Sequence, residues 1–289
     1  MSIIVKNLSF IYDPGLAFEK KALDDINFTI NPGEIVGIIG QSGSGKSTLV
    51  QHLNGLIKPQ QKDKVLIDGM DLADNVTDLT KIRQKVGIVF QYPEMQLFEE
   101  TVEKDVAFGP KNLGFTKEET HQLVVDSLKL VGLVYEDYEG RSPLLLSGGE
   151  KRRIAIAGIL AMKPEYLILD EPTAGLDPFA KEELLKEIVS INQARNTAII
   201  LVSHDMDEIA EITSRLYVLK KGAIVIEGKT NQVFKNYDLM EDLGLSLPES
   251  MRILHELAIC SSDINVDQFG IEETTNEIVR FYKKTHDGN

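Results

Sequence analysis

The sequence is short of cysteine, of long apolar runs and of basic side chains. Cys260 is the single cysteine among 289 residues, which excludes an internal disulfide framework and suits a reducing cytoplasm. No apolar run approaches the ~18 residues that a membrane-spanning helix requires, and no charged and then apolar leader stands at the N-terminus. We therefore expect a protein that reaches a membrane, if at all, by docking onto a partner that spans it.

Acidic residues outnumber lysine and arginine by 45 to 31, and the net charge is −14. This balance argues against a nucleic-acid-binding surface, apart from a local basic patch. A chain of 289 residues can bury a full α/β core with residues left over. We expect one large domain with an appendage.

A glycine-rich pattern in the first part of the chain predicts a polyphosphate site. The stretch GQSGSGKST follows an apolar strand at 35–39, opens a helix near Lys46 and fits G-x-x-x-x-G-K-[ST]. Inward-pointing N–H groups of such a loop, together with the positive end of the helix dipole, bind phosphate oxygens. The predicted nucleotide-binding residues of the loop are Gly40, Gln41, Ser42, Gly43, Ser44, Gly45, Lys46, Ser47 and Thr48.

Individual roles follow from the chemistry of these side chains. Lys46 is predicted to reach the β- and γ-phosphates, Ser47 to ligate Mg²⁺, and Thr48 to bond a phosphate oxygen. Upstream, Tyr12 stands near a turn signal, Asp13-Pro14-Gly15. Two interpretations of Tyr12 stay open: a ring that stacks on a bound base, or an ordinary half-buried tyrosine.

Three later apolar strands end in polar side chains. These are Gln91, the adjacent pair Asp170 and Glu171, and His204. Ligand contacts in α/β proteins are found at the carboxyl ends of parallel strands. Asp170 is therefore predicted to hold Mg²⁺ opposite Ser47, Glu171 to orient or deprotonate an attacking water, and His204 to contact the γ-phosphate.

A second helix N-terminus is preceded by small residues. Ser147-Gly148-Gly149 comes before a helix that we expect to begin near Glu150 and to end before Pro164. Its N-terminus is a second candidate anion site.

The remaining patterns predict further elements. Residues 2–10 and 22–30 are expected to form an antiparallel pair across a long connection, and residues 64–72 a strand with a turn at Asp68-Gly69. Residues 116–131 are expected to form an amphipathic helix.

One segment mixes acidic and apolar side chains: Glu94, Glu99, Glu100, Glu103 and Asp105 alternate with Met95, Leu97 and Phe98. It is either a solvated face with a few core anchors or a docking surface for a basic partner.

The motifs GQSGSGKST, Gln91, LSGGE, LILDE, AGLD and SHD, in this order, resemble the ATPase subunits of ATP-binding cassette (ABC) transporters over about residues 1–230. The resemblance implies an α/β fold of the P-loop NTPase type. It has a RecA-like core, an antiparallel β subdomain that holds Tyr12, and a helical subdomain at about 92–162.

The same resemblance implies a head-to-tail dimer that binds two ATP molecules with Mg²⁺. Each ATP would lie between Lys46 of one subunit and Ser147, Gly148, Gly149 and Glu150 of the other. Asp177, in AGLD, would lie at the dimer seam. Gln91 would belong both to the catalytic group and, with Ser47 and Asp170, to the Mg²⁺ ligands.

A narrower resemblance rests on residues 14–23, 51–56 and 90–114. They are similar to the energy-coupling factor (ECF) ATPases, and most to the second of the two paired ATPases. The resemblance implies a heterodimer at the cytoplasmic face of the membrane. A membrane-embedded coupling subunit and small substrate-binding membrane subunits would be its partners, in the import of vitamins or of cobalt or nickel ions. The acidic segment would dock the basic coupling helices.

Residues 231–289 lie beyond the motifs and are expected to form short helices, one of them opened by Pro248. Residues 237–289 carry an excess of seven acidic side chains. Two roles of this extension stay open: it contributes to subunit pairing, or it is a plain helical cap.

Two alternative functions are also open: an ATPase subunit of a dedicated ABC importer, and a soluble ABC ATPase acting on translation or DNA repair. The single cassette argues against the second.

Overall fold

The computed structural model describes residues 1–259, 261, 263–266 and 268–286, so Cys260 lies outside the described residues. The strands are β1 (Ile3–Tyr12), β2 (Lys20–Ile30), β3 (Ile35–Gly40), β4 (Val65–Ile67), β5 (Met70–Asp71), β6 (Val86–Val89), β7 (Tyr166–Asp170), β8 (Ala198–Val202), β9 (Arg215–Lys220) and β10 (Ala223–Lys229).

The α-helices of the described chain are α1 (Lys46–Leu53), α2 (Leu79–Lys85), α3 (Val102–Asn112), α4 (Lys117–Leu130), α5 (Tyr135–Tyr138), α6 (Gly148–Leu160), α7 (Pro178–Arg195), α8 (Met206–Ile212), α9 (Thr230–Phe234), α10 (Tyr237–Asp242), α11 (Glu249–Ala258) and α12 (Ile271–His286). Short 3-10 helices span Pro93–Gln96 and Pro143–Leu145. Among the residues described, no helix is both long and apolar enough to cross a bilayer.

The strands form two sheets. The central sheet has the order β10-β9-β3-β8-β7-β6, and its strands from β9 to β6 are parallel. Strand β10 pairs with β9 in the antiparallel sense. The smaller sheet has the order β2-β1-β4-β5 and is antiparallel. The α/β fold with an antiparallel subdomain, expected from the motifs, is confirmed.

Both faces of the central sheet are buried. In β3, Ile35 and Ile39 belong to the apolar cluster formed with the helices, whereas Val36 and Ile38 belong to the cluster formed with the smaller sheet and α1. Successive side chains of a strand point to opposite faces. A continuous apolar run therefore covers both faces, which explains why these strands do not alternate with polar residues.

The helices between β6 and β7 form a separate layer, in which α6 packs against α3 and α4. The predicted helix at 116–131 is confirmed as α4. Thr116 caps it, and its side chain forms a reciprocal capping box with Glu119. The apolar positions Leu123, Leu128 and Val131 are buried.

Two predicted boundaries were wrong. β1 and β2 are longer than expected because their pairing continues to Tyr12 opposite Lys20, which shortens the connection to residues 13–19. Helix α6 begins at Gly148 rather than near Glu150, because the Ser147 side chain caps it from one residue upstream. The two glycines thus form its first turn.

The C-terminal helices pack onto the central domain. Met240, Leu243, Leu247 and Met251 are buried in the same apolar cluster as the core helices. Pro248 directly precedes α11, as predicted. The extension is therefore continuous with the main core.

A polar network joins the two sheets at the amino ends of the parallel strands. Asp68, in the turn between β4 and β5, accepts hydrogen bonds from Ser2 N at 2.9 Å, Tyr166 Oη at 2.7 Å and Lys85 Nζ at 2.7 Å. Burial raises the pKa of Asp68, but the bonds from Lys85 and Tyr166 outweigh it and leave the pKa below its ordinary value. One carboxylate thus ties the smaller sheet to the first residue of β7.

The variant Asp68→Asn should lower the free energy of unfolding at pH 7 by about 1–3 kcal/mol, because a charged acceptor of three bonds is lost. Since the folded pKa is depressed, this contribution is present above about pH 4 and is lost as the pH falls through the folded value. Denaturant titration at both ends of this range measures it. Asp63→Asn is the matched control, because Asp63 also has a left-handed backbone (φ 61°) but is exposed. Equal stability of the two variants would contradict the role of Asp68.

Candidate active site

The polar residues predicted at strand ends lie on neighbouring strands. Gly40 ends β3, Asp170 ends β7, and His204 and Gln91 follow shortly after β8 and β6. Because β3, β8, β7 and β6 are adjacent and parallel, their carboxyl ends meet at one edge of the central sheet. That edge is the candidate active site.

The glycines of the loop after β3 are required by close packing. A Cβ at Gly40 (φ 152°) would lie 2.3 Å from the Leu219 carbonyl oxygen. A Cβ at Gly45 (φ 111°) would lie 2.7 Å from the Ala22 carbonyl oxygen. The loop can therefore adopt this path only with glycine at both positions.

Helix α1 begins at Lys46 with no side-chain cap on its N-terminus. The Lys46 ammonium lies within the loop and donates to the carbonyl oxygens of Gly40 at 2.7 Å and Gln41 at 3.1 Å. Burial lowers the pKa of Lys46, while the carboxylates of Glu171 and Asp170 oppose the shift. The buried Ser44 hydroxyl has no hydrogen-bond partner in the described structure. Uncapped N–H groups, an ammonium and a free hydroxyl together suit an anionic phosphate.

Tyr12 lies at the end of β1, and the residue is 36% exposed. Its hydroxyl is 3.3 Å from Thr48 Oγ1, and its ring meets the Phe10 ring edge to face at 4.8 Å. Phe10 in turn packs edge to face on buried His52 at 4.8 Å. Sequence reasoning missed Phe10 and His52. Phe10 could have been predicted to lie beside Tyr12, because side chains two residues apart in a strand point to the same face. No sequence pattern placed His52 there.

Glu171 is the centre of the polar group. His204 Nδ1 lies 2.8 Å from Glu171 Oε2, and Gln91 Nε2 donates to the same oxygen at 3.4 Å. The backbone of Glu171 has a left-handed φ of 50°, so its side chain leaves the strand in an unusual direction. The structure therefore brings together three residues that are far apart in the sequence.

Asp170 is adjacent to this group and is suited to a cation. Burial raises the pKa of Asp170, Glu171 adds to the rise, and Lys46 opposes it. A divalent cation beside Asp170 would favour its ionised form. No cluster of three His, Cys, Asp or Glu side chains that could hold a metal occurs in the part of the chain that the structure describes. Mg²⁺ prefers oxygen ligands, so an ion beside the Asp170 carboxylate would need further oxygen ligands from hydroxyl, amide or phosphate groups.

The second candidate anion site is a capped helix N-terminus. Ser147 Oγ donates to Glu150 Oε2 at 2.7 Å, and Tyr138 Oη donates to Glu150 Oε1 at 2.7 Å. Hydrogen bonds from Ser147 and Tyr138 lower the pKa of Glu150. Glu150 is thus held within its own helical layer, whereas Gly148 is exposed and has open space around it.

Asp177 caps α7 by accepting from the backbone N–H groups of Phe179 and Ala180, both at 3.0 Å. A cavity of ≈ 180 Å³ lies between the Ser147 and Asp177 segments. One wall is formed by Ser147, Gly149 and Glu150, and the other includes Leu176 and Ala180, which flank Asp177 in the chain. The Ser147 segment and the Asp177 segment are therefore neighbours in the fold.

Comparison with known proteins identifies the family. The profile described as ABC transporter matches residues 23–174. The chain belongs to the ABC transporter family. It is 47% identical over 282 residues to the energy-coupling factor transporter ATP-binding protein EcfA2 of Clostridium tetani, with 98% of each chain covered. It is 49% identical to the EcfA2 of Caldanaerobacter subterraneus, with 99% of each covered.

Solved structures agree with this ABC ATPase assignment. The structure of cbiO1 from Clostridium perfringens, part of the ABC transporter complex cbiONQ, has a TM-score of 0.74 and 36% identity. It covers 88% of this chain and 98% of its own. A dimeric structure of the ATP-binding cassette MJ0796 bound to ADP and Pi has a TM-score of 0.69 and 31% identity, with 79% and 98% covered.

The variant Lys46→Ala should bind ATP roughly 10- to 100-fold more weakly, because charged hydrogen bonds of about 1.5–3 kcal/mol are lost. Isothermal titration calorimetry with ATP measures the affinity. Lys6→Ala, on an exposed position of β1, is the control and should bind as the wild type does. Unchanged ATP affinity in Lys46→Ala would contradict the assignment of the phosphate loop.

Proposed function

We propose that this chain is the ATP-hydrolysing subunit of an energy-coupling factor importer. Glu171 is the proposed general base, which accepts a proton from the attacking water. ABC ATPases hydrolyse ATP, and relatives that match nearly the whole chain are ECF transporter ATP-binding proteins. The observation that carries the residue assignment is the convergence of His204 and Gln91 on one oxygen of Glu171. The vitamins or metal ions transported would be selected by other subunits.

In the proposed reaction, the loop from Gly40 to Thr48 binds the triphosphate and Tyr12 stacks on the adenine. Glu171 accepts a proton from water as the water oxygen forms a bond to the γ-phosphorus and the bond to the β,γ-bridging oxygen breaks. The products are ADP and phosphate. His204 holds Glu171 through Nδ1 and is 71% exposed, so its other ring nitrogen is free to face the γ-phosphate.

Ser47, Gln91 and Asp170 would hold Mg²⁺ in this site. The ion, when bound, neutralises charge on the β- and γ-phosphates.

A dimer completes the proposed site. The exposed first turn of α6 carries Ser147 and Gly148 and would contact ATP bound to the partner ATPase. The dimeric solved neighbours support such an arrangement. The neighbouring Asp177 segment would lie at the seam, and a second, related ATPase is the proposed partner.

An apolar groove of ≈ 520 Å³ is the proposed dock for the membrane subunit. It lies between the helical layer and α2 and is lined by Leu97, Phe98, Phe108 and Met162. Phe98 and Phe108 contact each other edge to face at 4.9 Å, and the two residues are 62% and 44% exposed. Exposed aromatic pairs of this kind are typical of the centre of a protein interface.

Charge supports basic helices of a membrane-embedded coupling subunit as the proposed occupant of this groove. Glu99 and Glu100 directly follow Phe98, and Glu100 is exposed although it pairs with Lys104 at 2.6 Å. Two other acids of the segment have internal roles. Glu94 pairs with Arg152 at 3.4 Å, and Asp105 accepts from the N–H groups of Phe98 and Glu99. The acidic segment is thus both a structural support for the groove and the proposed acidic rim that attracts a basic partner.

These contacts would place the chain at the cytoplasmic face of the membrane, with small substrate-binding subunits reached through the coupling subunit. The C-terminal helices are proposed to contribute to pairing of the two ATPases.

The variant Glu171→Gln should bind ATP with wild-type affinity and lose nearly all turnover, because an amide cannot accept the proton of the attacking water. It should accumulate as an ATP-bound closed dimer, detected by size-exclusion chromatography. Glu182→Gln, an exposed position on α7, is the control and should retain turnover. Turnover near the wild-type rate in Glu171→Gln would remove the assignment of Glu171.

Copurification from the membranes of the host, with mass spectrometry of every bound protein, tests the partners. The wild-type chain should recover a second ATPase, one polytopic subunit and several small membrane proteins. Glu99→Lys with Glu100→Lys should weaken that recovery, because like charges would then face the basic partner.

Glu118→Lys with Glu227→Lys adds the same charge at exposed sites away from the groove and is the control. Undiminished recovery by the first pair would rule out the proposed dock. Recovery of a dedicated permease alone would favour an ordinary ABC importer, and exclusively soluble partners would leave the ATPase without a transport role.

A further inference from the structure

Glu208 is a buried carboxylate that the roles proposed above do not use. It lies in the first turn of α8, and only 2% of its surface is exposed. A buried charge is costly unless it is paired and hydrogen-bonded. A carboxylate buried beside the candidate active site therefore requires partners that stabilise its charge.

Both oxygens of Glu208 are satisfied. Oε1 accepts from the Thr173 hydroxyl and lies 3.2 Å from Lys181 Nζ, and Oε2 accepts from Ser203 Oγ at 2.9 Å. Thr173 and Ser203 are themselves buried. Two hydroxyl donors and one ammonium thus converge on a single carboxylate, which makes these charge-assisted bonds strong.

The three partners belong to the three segments that carry the active-site residues. Thr173 lies two residues after Glu171, and Ser203 directly precedes His204. Lys181 lies one turn into α7, and its backbone N–H donates to Asp177 O at 3.0 Å. Glu208 is therefore a common contact for the Glu171, His204 and Asp177 segments.

Asp205 strengthens the same cluster from the start of α8. Its Oδ1 accepts from the N–H groups of Asp207 at 3.0 Å and Glu208 at 3.3 Å, and its Oδ2 pairs with Lys181. Its own N–H donates to Ser203 Oγ at 3.0 Å. Lys181 and Ser203 are thus each held at two points, so their positions depend on α8.

Glu171 needs such support because of its backbone. A left-handed φ of 50° is unfavourable for glutamate and persists only when the surrounding structure holds it. Glu171 N also donates to Val202 O at 2.8 Å, and this bond joins the ends of β7 and β8. Glu208 holds the segments that follow these two strands through Thr173 and Ser203.

We propose that Glu208 is a positioning residue for ATP hydrolysis. By binding Thr173 and Ser203 at once, it fixes the distance between the segments of Glu171 and His204, and so keeps His204 Nδ1 in contact with Glu171 Oε2. Through Lys181 it links this geometry to the segment of Asp177. The inference rests on the proposed roles of Glu171 and His204.

The test measures ATP turnover by the full-length chain in the complex in which it copurifies. Glu208→Gln should lower kcat about 10- to 100-fold, since small displacements of reacting groups have effects of this size. The KM for ATP and the ATP affinity should change less than about twofold, because Glu208 binds Thr173, Ser203 and Lys181, which lie outside the predicted phosphate loop. Glu211→Gln is the matched control, since it removes an exposed carboxylate from the same helix.

Two further variants cover the case in which Glu208→Gln does not fold. Thr173→Val and Ser203→Ala each remove one hydroxyl and leave the carboxylate. Each should lower kcat without weakening ATP binding, and combining Ser203→Ala with Glu208→Gln should cost little more than the slower single variant. A positioning network predicts this non-additivity, whereas independent losses of stability would add.

Wild-type turnover in Glu208→Gln, or in both hydroxyl variants, would overturn the proposal. So would a loss of kcat that is matched by an equal loss of ATP affinity. These failures are distinguishable from failure of the proposed function. If Glu171→Gln retains turnover, the assignment of Glu171 is wrong; if it is inactive and the Glu208 network variants are not impaired, only the positioning role is wrong.

Discussion

The parallel hydrogen bonding of β3, β8, β7 and β6 is the constraint on which the rest of the structure depends. Ile35 pairs with Ile199, Leu167 with Ile199, and Val89 with Leu169, so the register is continuous across the sheet. Because all four strands run the same way, the segments that follow them emerge at one edge. Lys46, Gln91, Asp170, Glu171 and His204 meet there although up to 158 residues separate them in sequence.

The half-buried carboxylate of Asp68 and the buried carboxylate of Glu208 are stabilised in the same physical way at opposite ends of the parallel strands. Asp68 binds Lys85 and the Tyr166 hydroxyl at the amino ends of the strands, and Glu208 binds Lys181 and two hydroxyl groups at the carboxyl ends. In each case an ammonium and hydroxyl donors offset the cost of burying the charge. One network ties the smaller sheet to the core, and the other ties together the segments around the candidate active site.

The fold could be predicted where local patterns are strong, and the helix after Ser147 is one example. That the helix begins at Gly148, so that both glycines lie in its first turn, depends on the capping bonds between Ser147 and Glu150. From the sequence, His204 and Glu171 could be expected only to lie at the same end of parallel strands. The contact between their side chains could not be predicted. Glu208 escaped prediction because an acidic residue in a short helix normally faces solvent, and only packing of α8 against Thr173 and Ser203 shows that it is buried.

The sequence by itself determined the glycine-rich pattern, the polar strand ends and the family, because glycine spacing, apolar runs and charged strand ends are local features of the chain. The tertiary structure alone decided which oxygen of Glu171 meets His204 and Gln91, and which hydroxyl groups Glu208 binds. It also decided that Asp105, which lines the groove, accepts hydrogen bonds from the N–H groups of Phe98 and Glu99. Those pairings join residues that are distant in the chain, and their distances are set by packing and strand register.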